Sequence, residues 1–460
     1  MSRLRRSRWA SVIATAVLVG SLGSAAPAAG HAEPRLTHVL PCAGISDFTC
    51  AYLTVPLDRS GRTPGTLRLR VATADNDDAP RGVLLLLTGG PGQPGVSLVP
   101  RMRQRISYLL DEYQLVMIDQ RGTGEGAIDC PRLQAEVGSS DITPPSVAAV
   151  QECADLLGET RNFYTTADTV ADLDDLRRAL DIRRWTVDGI SYGTFTATNY
   201  GLTYPNRVSR MVLDSVVPQQ GASAFYEDSL HHSGRVLRKA CEEQECGFDP
   251  AADLAAVVRA YDNGVGVFDL IVITSIFDPR FTGENWFPVL DLLHLAAQGD
   301  PGPLGQAIAA VQGGDGTPPQ AYSAGLHVAT ICADLTDAPW GDSSAPLAGR
   351  DEAVERAIEK LPPAFVWPFE RRTAADQGIL QACRHWPPSR PNPDPKVHRL
   401  PMPVLLIAGD RDLSTPMQWA VEQAAQTPRG QLVVVAGMGH SIQGRNPDGD
   451  RAVERFLAGR

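Results

Sequence analysis

Trp185-Thr186-Val187-Asp188-Gly189-Ile190-Ser191-Tyr192-Gly193 decides how the rest of this 460-residue chain is read. Residues 185–187 form a short β-rich run. A helical pattern follows the stretch and continues to about residue 204, where Pro205-Asn206 stops it. Between strand and helix, Gly189-Ile190-Ser191-Tyr192-Gly193 fits the pattern G-x-S-x-G. A turn that sharp leaves no room for bulk beside the serine, and glycines on both sides relieve the crowding. The hydroxyl is then exposed, and the N–H of the next residue faces the same space. The five-residue pattern alone is common, and a structural serine in a βα turn also satisfies it. The flanking strand and helix are the context that gives Ser191 the reading of a nucleophile.

A serine hydroxyl attacks poorly at neutral pH unless a base stands within hydrogen-bond reach and a third group orients that base. Both are found downstream, in the order serine, acid, histidine. Residues 402–408 read as a strand, followed by Gly409-Asp410-Arg411-Asp412-Leu413-Ser414-Thr415-Pro416. Residues 431–435 read as the next strand, followed by Ala436-Gly437-Met438-Gly439-His440-Ser441. Loops just past strand ends are where open α/β sheets place their sites. His440 is therefore read as the base. Asp412, deeper in its loop, is read as the acid, and Asp410 as a residue that caps the turn or pairs with Arg411.

An oxyanion needs two backbone donors. One is expected from Tyr192. The other is expected from Gly90, in Thr88-Gly89-Gly90-Pro91-Gly92, which follows the buried apolar run 82–87. A Gly-Gly-Pro-Gly run also reads simply as a tight turn; its place after an early buried strand favours the donor. There is no Walker lysine and no G-x-G-x-x-G at a strand end, so a phosphate cradle is not expected. No clustered His or carboxylate pattern points to a metal, and no cofactor is implied.

Outward from these motifs, apolar β-rich runs alternate with helical patterns, which argues for a mostly parallel central sheet flanked by helices. Thr66–Ala74 alternates as a strand, Gln114–Ile118 is a buried strand closed by Asp119-Gln120-Arg121-Gly122-Thr123-Gly124, and 165–180 is a helix capped at Thr165 or Thr166. Residues 210–217 are a further strand and 448–457 a final helix. From 218 to 397 the rhythm changes to helical patterns, loops, prolines and aromatics, including the turn-like Asn263-Gly264-Val265-Gly266. The expected organisation is an export signal at 1–32, core at 33–217, a mainly helical cap inserted at 218–397, and core again at 398–460.

Arg3, Arg5, Arg6 and Arg8 precede an apolar run from Trp9 to about Leu22 and a small-residue stretch, 23–32, the order of a secretory signal peptide. The run is too short for a comfortable membrane span. Loss of those four charges takes the formal net charge from −11 to −15. An acidic chain of this kind is a poor nucleic-acid partner, and no later stretch is long enough for stable membrane insertion. The eight cysteines all follow the signal, an even count that suggests disulfides in an oxidising compartment. Sequence alone leaves connectivity open; pairing of neighbours would join Cys42 with Cys50, Cys130 with Cys153, Cys241 with Cys246, and Cys332 with Cys383. A metal at Cys241 and Cys246 is the rival reading, against which stands the absence of a second close pair.

Gly89-Gly90-Pro91-Gly92, Asp119-Gln120-Arg121-Gly122-Thr123-Gly124, Gly189-Ile190-Ser191-Tyr192-Gly193, Gly409-Asp410-Arg411-Asp412 with Thr415-Pro416, and Gly439-His440 occur together in this order. The set resembles the proline iminopeptidase family of serine peptidases on the α/β-hydrolase fold. With the export signal, the cysteines and the long insertion, it is similar to the secreted tripeptidyl aminopeptidases, over roughly residues 40–460. The resemblance implies Ser191, Asp412 and His440 as a triad, with Gly90 and Tyr192 as oxyanion donors. It also implies peptide substrates with a free amino end and acidic cap residues that hold the ammonium. Candidates for that role are Glu227, Asp228, Glu242, Glu243 and Glu284; each also reads as a solvated surface residue. Trp286, Phe287, Trp340, Trp367, Phe369 and Trp386 either line a pocket or fill the cap core. Thr88 departs from the family, where iminopeptidases usually carry His, and this favours the tripeptidyl branch. A carboxylesterase, lactonase or amidase on the same scaffold is the alternative within enzymes. A non-catalytic hydrolase-like binding protein is the alternative outside them.

Overall fold

The computed structural model describes residues 33–261, 263–276, 289–312, 316–393 and 395–459. The expected export signal, Glu284, Trp286 and Phe287 lie outside the described residues. Among the described residues one sheet of nine strands runs through the unit Pro34–Arg460. The strands are β1 (Leu36–Pro41), β2 (Phe48–Pro56), β3 (Thr66–Ala74), β4 (Val83–Leu87), β5 (Gln114–Ile118), β6 (Trp185–Ile190), β7 (Val208–Asp214), β8 (Val404–Gly409) and β9 (Gly430–Val435). Their order is β1-β2-β3-β5-β4-β6-β7-β8-β9. From β5 to β9 every pairing is parallel, while β1, β2 and β3 form an antiparallel edge joined to β5.

The sheet is covered on both faces, and its central strands are largely buried. In β4, Leu84 and Leu86 join one apolar cluster, with Val99, Met102, Val453 and Phe456. Leu85 and Leu87 join the other, with Leu173, Leu176 and Tyr200. Alternation of side chains across a strand makes that division, and burial on both faces suits parallel strands. The helices that supply the cover include α1 (Val99–Arg105), α4 (Thr166–Ala179) and α5 (Tyr192–Thr203), whereas α2 (Pro131–Val137) and α3 (Val147–Leu157) pack against other helices. Thr165 Oγ1 accepts from Asp168 N at 3.2 Å and caps α4. The Asp119–Gly124 motif serves the scaffold. Arg121 is fully buried and grips Asp172 of α4 with two hydrogen bonds of 2.7 Å.

Between β7 and β8 the chain leaves the sheet and forms helices, beginning with α6 (Glu227–Gln244), α7 (Pro250–Tyr261) and α8 (Gly264–Ile276). The turn expected at Asn263-Gly264-Val265-Gly266 is instead the start of α8. Asn263 Oδ1 accepts from Gly266 N at 3.1 Å, and the apolar run that follows is buried, which outweighs the two glycines. A third apolar cluster joins these helices to α2 and α3, so the β5–α4 connection packs with the β7–β8 connection. Disulfides join Cys42 to Cys50, Cys130 to Cys153, Cys241 to Cys246, and Cys332 to Cys383. Among the described residues no helix is long and apolar enough to cross a membrane.

Candidate active site

Ser191 stands between β6 and α5 with φ +58°, a left-handed conformation that only a strongly constrained turn imposes on a serine. The constraint is close packing. A Cβ on Gly193 would lie 2.4 Å from Leu87 O, and one on Gly189 would lie 2.4 Å from Gly193 O. Backbone therefore occupies the space that side chains would need. The β4 loop presses on the serine itself, since a Cβ on Gly89 would sit 2.8 Å from Ser191 Cβ. Tyr192 opens α5, so its N–H is one of those that a helix leaves without an internal partner. Gly90 adjoins the same space, and both residues line a cavity with Ser191.

His440 and Asp412 sit in the loops after β9 and β8. His440 Nδ1 and Asp412 Oδ2 are 2.8 Å apart, and both residues are buried. Asp412 is held in turn: its Oδ1 accepts from Ser414 N and Thr415 N, each at 2.9 Å, and its Oδ2 accepts from Thr415 Oγ1 at 2.7 Å. Asp410 is engaged elsewhere. It pairs with Lys239 of α6, and its Oδ1 accepts from Gly437 N at 2.8 Å. The expected pairing with Arg411 is corrected, because Arg411 reaches Glu243 instead. Which of the two aspartates of this loop meets His440 is thus decided by the way each side chain leaves it.

Two cavities meet at Ser191. One, of about 630 Å³, is walled largely by apolar side chains, among them Phe195, Val217, Tyr226, Ile331, Ile379 and Trp419. The other, of about 830 Å³, is lined by Ser191, His440, Gln93, Arg101, Arg105 and Arg445. Asp141 lines both cavities, and Asp334 lines the first. The Asp334 carboxylate is fully occupied: Tyr192 and Thr166 hydroxyls and the Asn392 amide all donate to it. Burial pushes its carboxyl up to about 6. Asp141 accepts from Tyr226 Oη at 2.8 Å, which leaves most of its acceptor capacity unused by that bond.

The four described acidic residues named from sequence stand elsewhere. Glu227 takes the Ser223 hydroxyl, Glu243 takes Arg411, Glu242 is exposed, and Asp228 accepts from Trp419 Nε1 at 2.9 Å. None of these four lines either cavity. Trp386 and Phe369 are buried in the helical layer and Trp367 is 39% exposed; the aromatic walls are Phe195, Tyr226, Tyr322 and Trp419 instead. Asp141 escaped notice because it follows α2, in sequence far from the β7–β8 helices. Its neighbours Ser140 and Ile142 carry no motif. Among the described residues no group of three or more His, Cys, Asp or Glu is arranged to hold a metal.

Beneath the turn, two buried carboxyls tie the strands to the His440 loop. Asp214 accepts from Ile442 N at 2.9 Å and from Gln443 N at 2.9 Å. Asp188 Oδ1 accepts from Gln443 Nε2 at 3.0 Å, and among the described residues its Oδ2 has no hydrogen-bond partner. Burial, opposed by the Gln443 bond and reinforced by the Asp214 charge, pushes the Asp188 carboxyl up to about 8. The folded chain thus keeps a proton that the unfolded chain releases above about pH 4. Stability from this group is complete at low pH and is lost as pH rises from about 4 through about 8. Asp188→Asn retains the shape without the charge. In thermal unfolding its midpoint is expected to fall less than the parent's between about pH 5 and about pH 8.

Comparison with known proteins agrees with this architecture. Residues 82–235 match the family described as α/β hydrolase fold, and residues 369–459 match the family described as TAP-like protein. The tripeptidyl aminopeptidase of Streptomyces lividans is 26% identical over 452 residues, covering 89% of this chain and 81% of that protein. The serine protease Hip1 of Mycobacterium tuberculosis is 26% identical over 514 residues, covering 98% of this chain and 94% of that protein. A proline iminopeptidase of Xylella fastidiosa is 31% identical over 156 residues, covering 32% of this chain and 39% of that protein. The chain is a serine hydrolase of the α/β-hydrolase fold, similar over most of its length to serine peptidases of that fold.

Proposed function

We propose that this chain is a secreted serine exopeptidase that releases short N-terminal units, tripeptides foremost, from peptides with a free amino end. The observation that carries the reading is the Asp141 carboxylate on the wall of the cavities at Ser191, beside the paired His440 and Asp412. In this mechanism Ser191 Oγ attacks the scissile carbonyl. His440 takes its proton at Nε2, since Nδ1 faces Asp412, and returns it to the leaving amine. Asp412 holds the ring in the tautomer that leaves Nε2 free and stabilises the imidazolium. The N–H groups of Gly90 and Tyr192 receive the oxyanion. Water then enters and releases the acyl group by the same route.

Asp141 is the anchor for the substrate ammonium. An ion-assisted hydrogen bond in a sheltered cavity suits that task, and the spacing from Asp141 to Ser191 sets how many residues leave. The basic, apolar and small-residue order of residues 1–32 and the four disulfides support export.

The test is product analysis on peptides with free and with blocked N-termini. Release of tripeptides from the free forms alone is expected; equal cleavage of both sinks the aminopeptidase reading. Strong turnover of esters with no amide cleavage would assign a carboxylesterase instead. Asp141→Asn is expected to raise KM for free peptides roughly 10- to 100-fold, the scale of one charge-assisted hydrogen bond. Turnover of a small uncharged ester should stay unchanged, and steady-state kinetics on both substrates checks the pair of outcomes.

A further inference from the structure

We infer that Ser275, at the C-terminal end of α8, is a positioning residue that clamps the acid loop and the base loop together. The inference rests on the roles proposed for Asp412 and His440.

Asp412 and His440 lie in different loops, after β8 and β9. Their 2.8 Å contact depends on how those loops are held relative to each other. Ser275 touches both. Its carbonyl accepts from His440 N at 2.9 Å, and its hydroxyl accepts from Leu413 N, next to Asp412, at 3.1 Å. The hydroxyl is itself fixed, because it donates to Val272 O at 2.7 Å. Donor and acceptor capacity are thus both engaged, and the group has no freedom to turn away.

The approach is close enough to exclude a side chain. A Cβ on Gly439 would lie 1.9 Å from Ser275 O, so only glycine admits the α8 terminus at this point. Arg445 adds a second tie, donating from Nη1 to Ile276 O at 2.7 Å and to His440 O at 2.9 Å. Ser275 belongs to the β7–β8 connection, 138 residues from Leu413, so the helices of that connection help to assemble the reacting groups as well as to wall the cavity. Catalytic geometry must hold within about 0.5 Å, and a misplacement of about 1 Å costs about a hundredfold. A clamp on both loops is a direct way to supply that precision.

The experiment compares Ser275→Thr with Ser275→Val in the full chain. The two side chains have nearly the same shape, and only threonine keeps the hydroxyl. Rates of labelling by a fluorophosphonate are measured across pH, together with thermal midpoints. The valine variant is expected to label roughly tenfold more slowly than the threonine variant, as an unpaired Leu413 N–H displaces its loop. The acid limb of its pH–rate profile should also shift, while Ser275→Thr stays close to the parent. Ser275→Ala, which adds no bulk, is run alongside, so that a valine variant that fails to fold still leaves a comparison. Equal labelling rates and profiles for the threonine variant and the variants lacking the hydroxyl overturn the inference, even if stability falls. A parent protein that never labels removes the proposed function and the clamp together.

Discussion

Ser191→Ala is expected to lower kcat on a tripeptide amide by about a million-fold and to abolish fluorophosphonate labelling. On the proposed mechanism the hydroxyl supplies the bond that forms in the acyl-enzyme. The remaining turnover would come from the oxyanion donors and from binding, which the substitution leaves in place. KM should therefore change far less than kcat. Circular dichroism and a thermal midpoint near the parent's would show that the loss is chemical. A variant that labels as well as the parent would remove Ser191 from the role.

Asp412→Asn is expected to lower kcat by about ten-thousand-fold, while Asp410→Asn lowers it less than about tenfold. The reason lies in where each carboxylate points. Asp412 Oδ2 faces His440 Nδ1 at 2.8 Å, and Asp412 Oδ1 is already committed to Ser414 N and Thr415 N at 2.9 Å. An asparagine in that frame presents its amide nitrogen to the ring and stabilises the wrong tautomer, so Nε2 carries a proton when it should accept one. Asp410 holds Lys239 and Gly437 N, contacts that support the loop without touching the ring. Its loss should appear as stability, on the order of 1–3 kcal/mol, in denaturant unfolding. Similar kcat values for the two variants would contradict the assignment of the acid.

The turn at Ser191 was legible because its strand, its glycines and its helix share one short stretch. Gly189 and Gly193 are dictated by the backbone that packs against them, and the same packing forces Ser191 to positive φ. Strands β4 and β8 were legible because burial on both faces demands continuous apolar runs. The antiparallel β1 and β2 were not, since β1 is largely exposed and its residues carry little pattern. Glu227, Glu242 and Glu243 were plausible partners for an ammonium only as residue types in a cap. Their actual partners, or their exposure, depend on the rotation of α6 about its own axis.

Order along the chain, serine then acid then histidine, and the strand ends that carry them were determined by sequence alone, because local pattern sets strand, turn and helix. The tertiary structure decided which aspartate meets His440, that Asp141 rather than the α6 glutamates faces Ser191, and that Ser275 reaches across to both loops. These are contacts between segments tens to hundreds of residues apart. Their partners are chosen by packing of whole layers, and no short stretch of sequence encodes the direction in which a side chain leaves a loop.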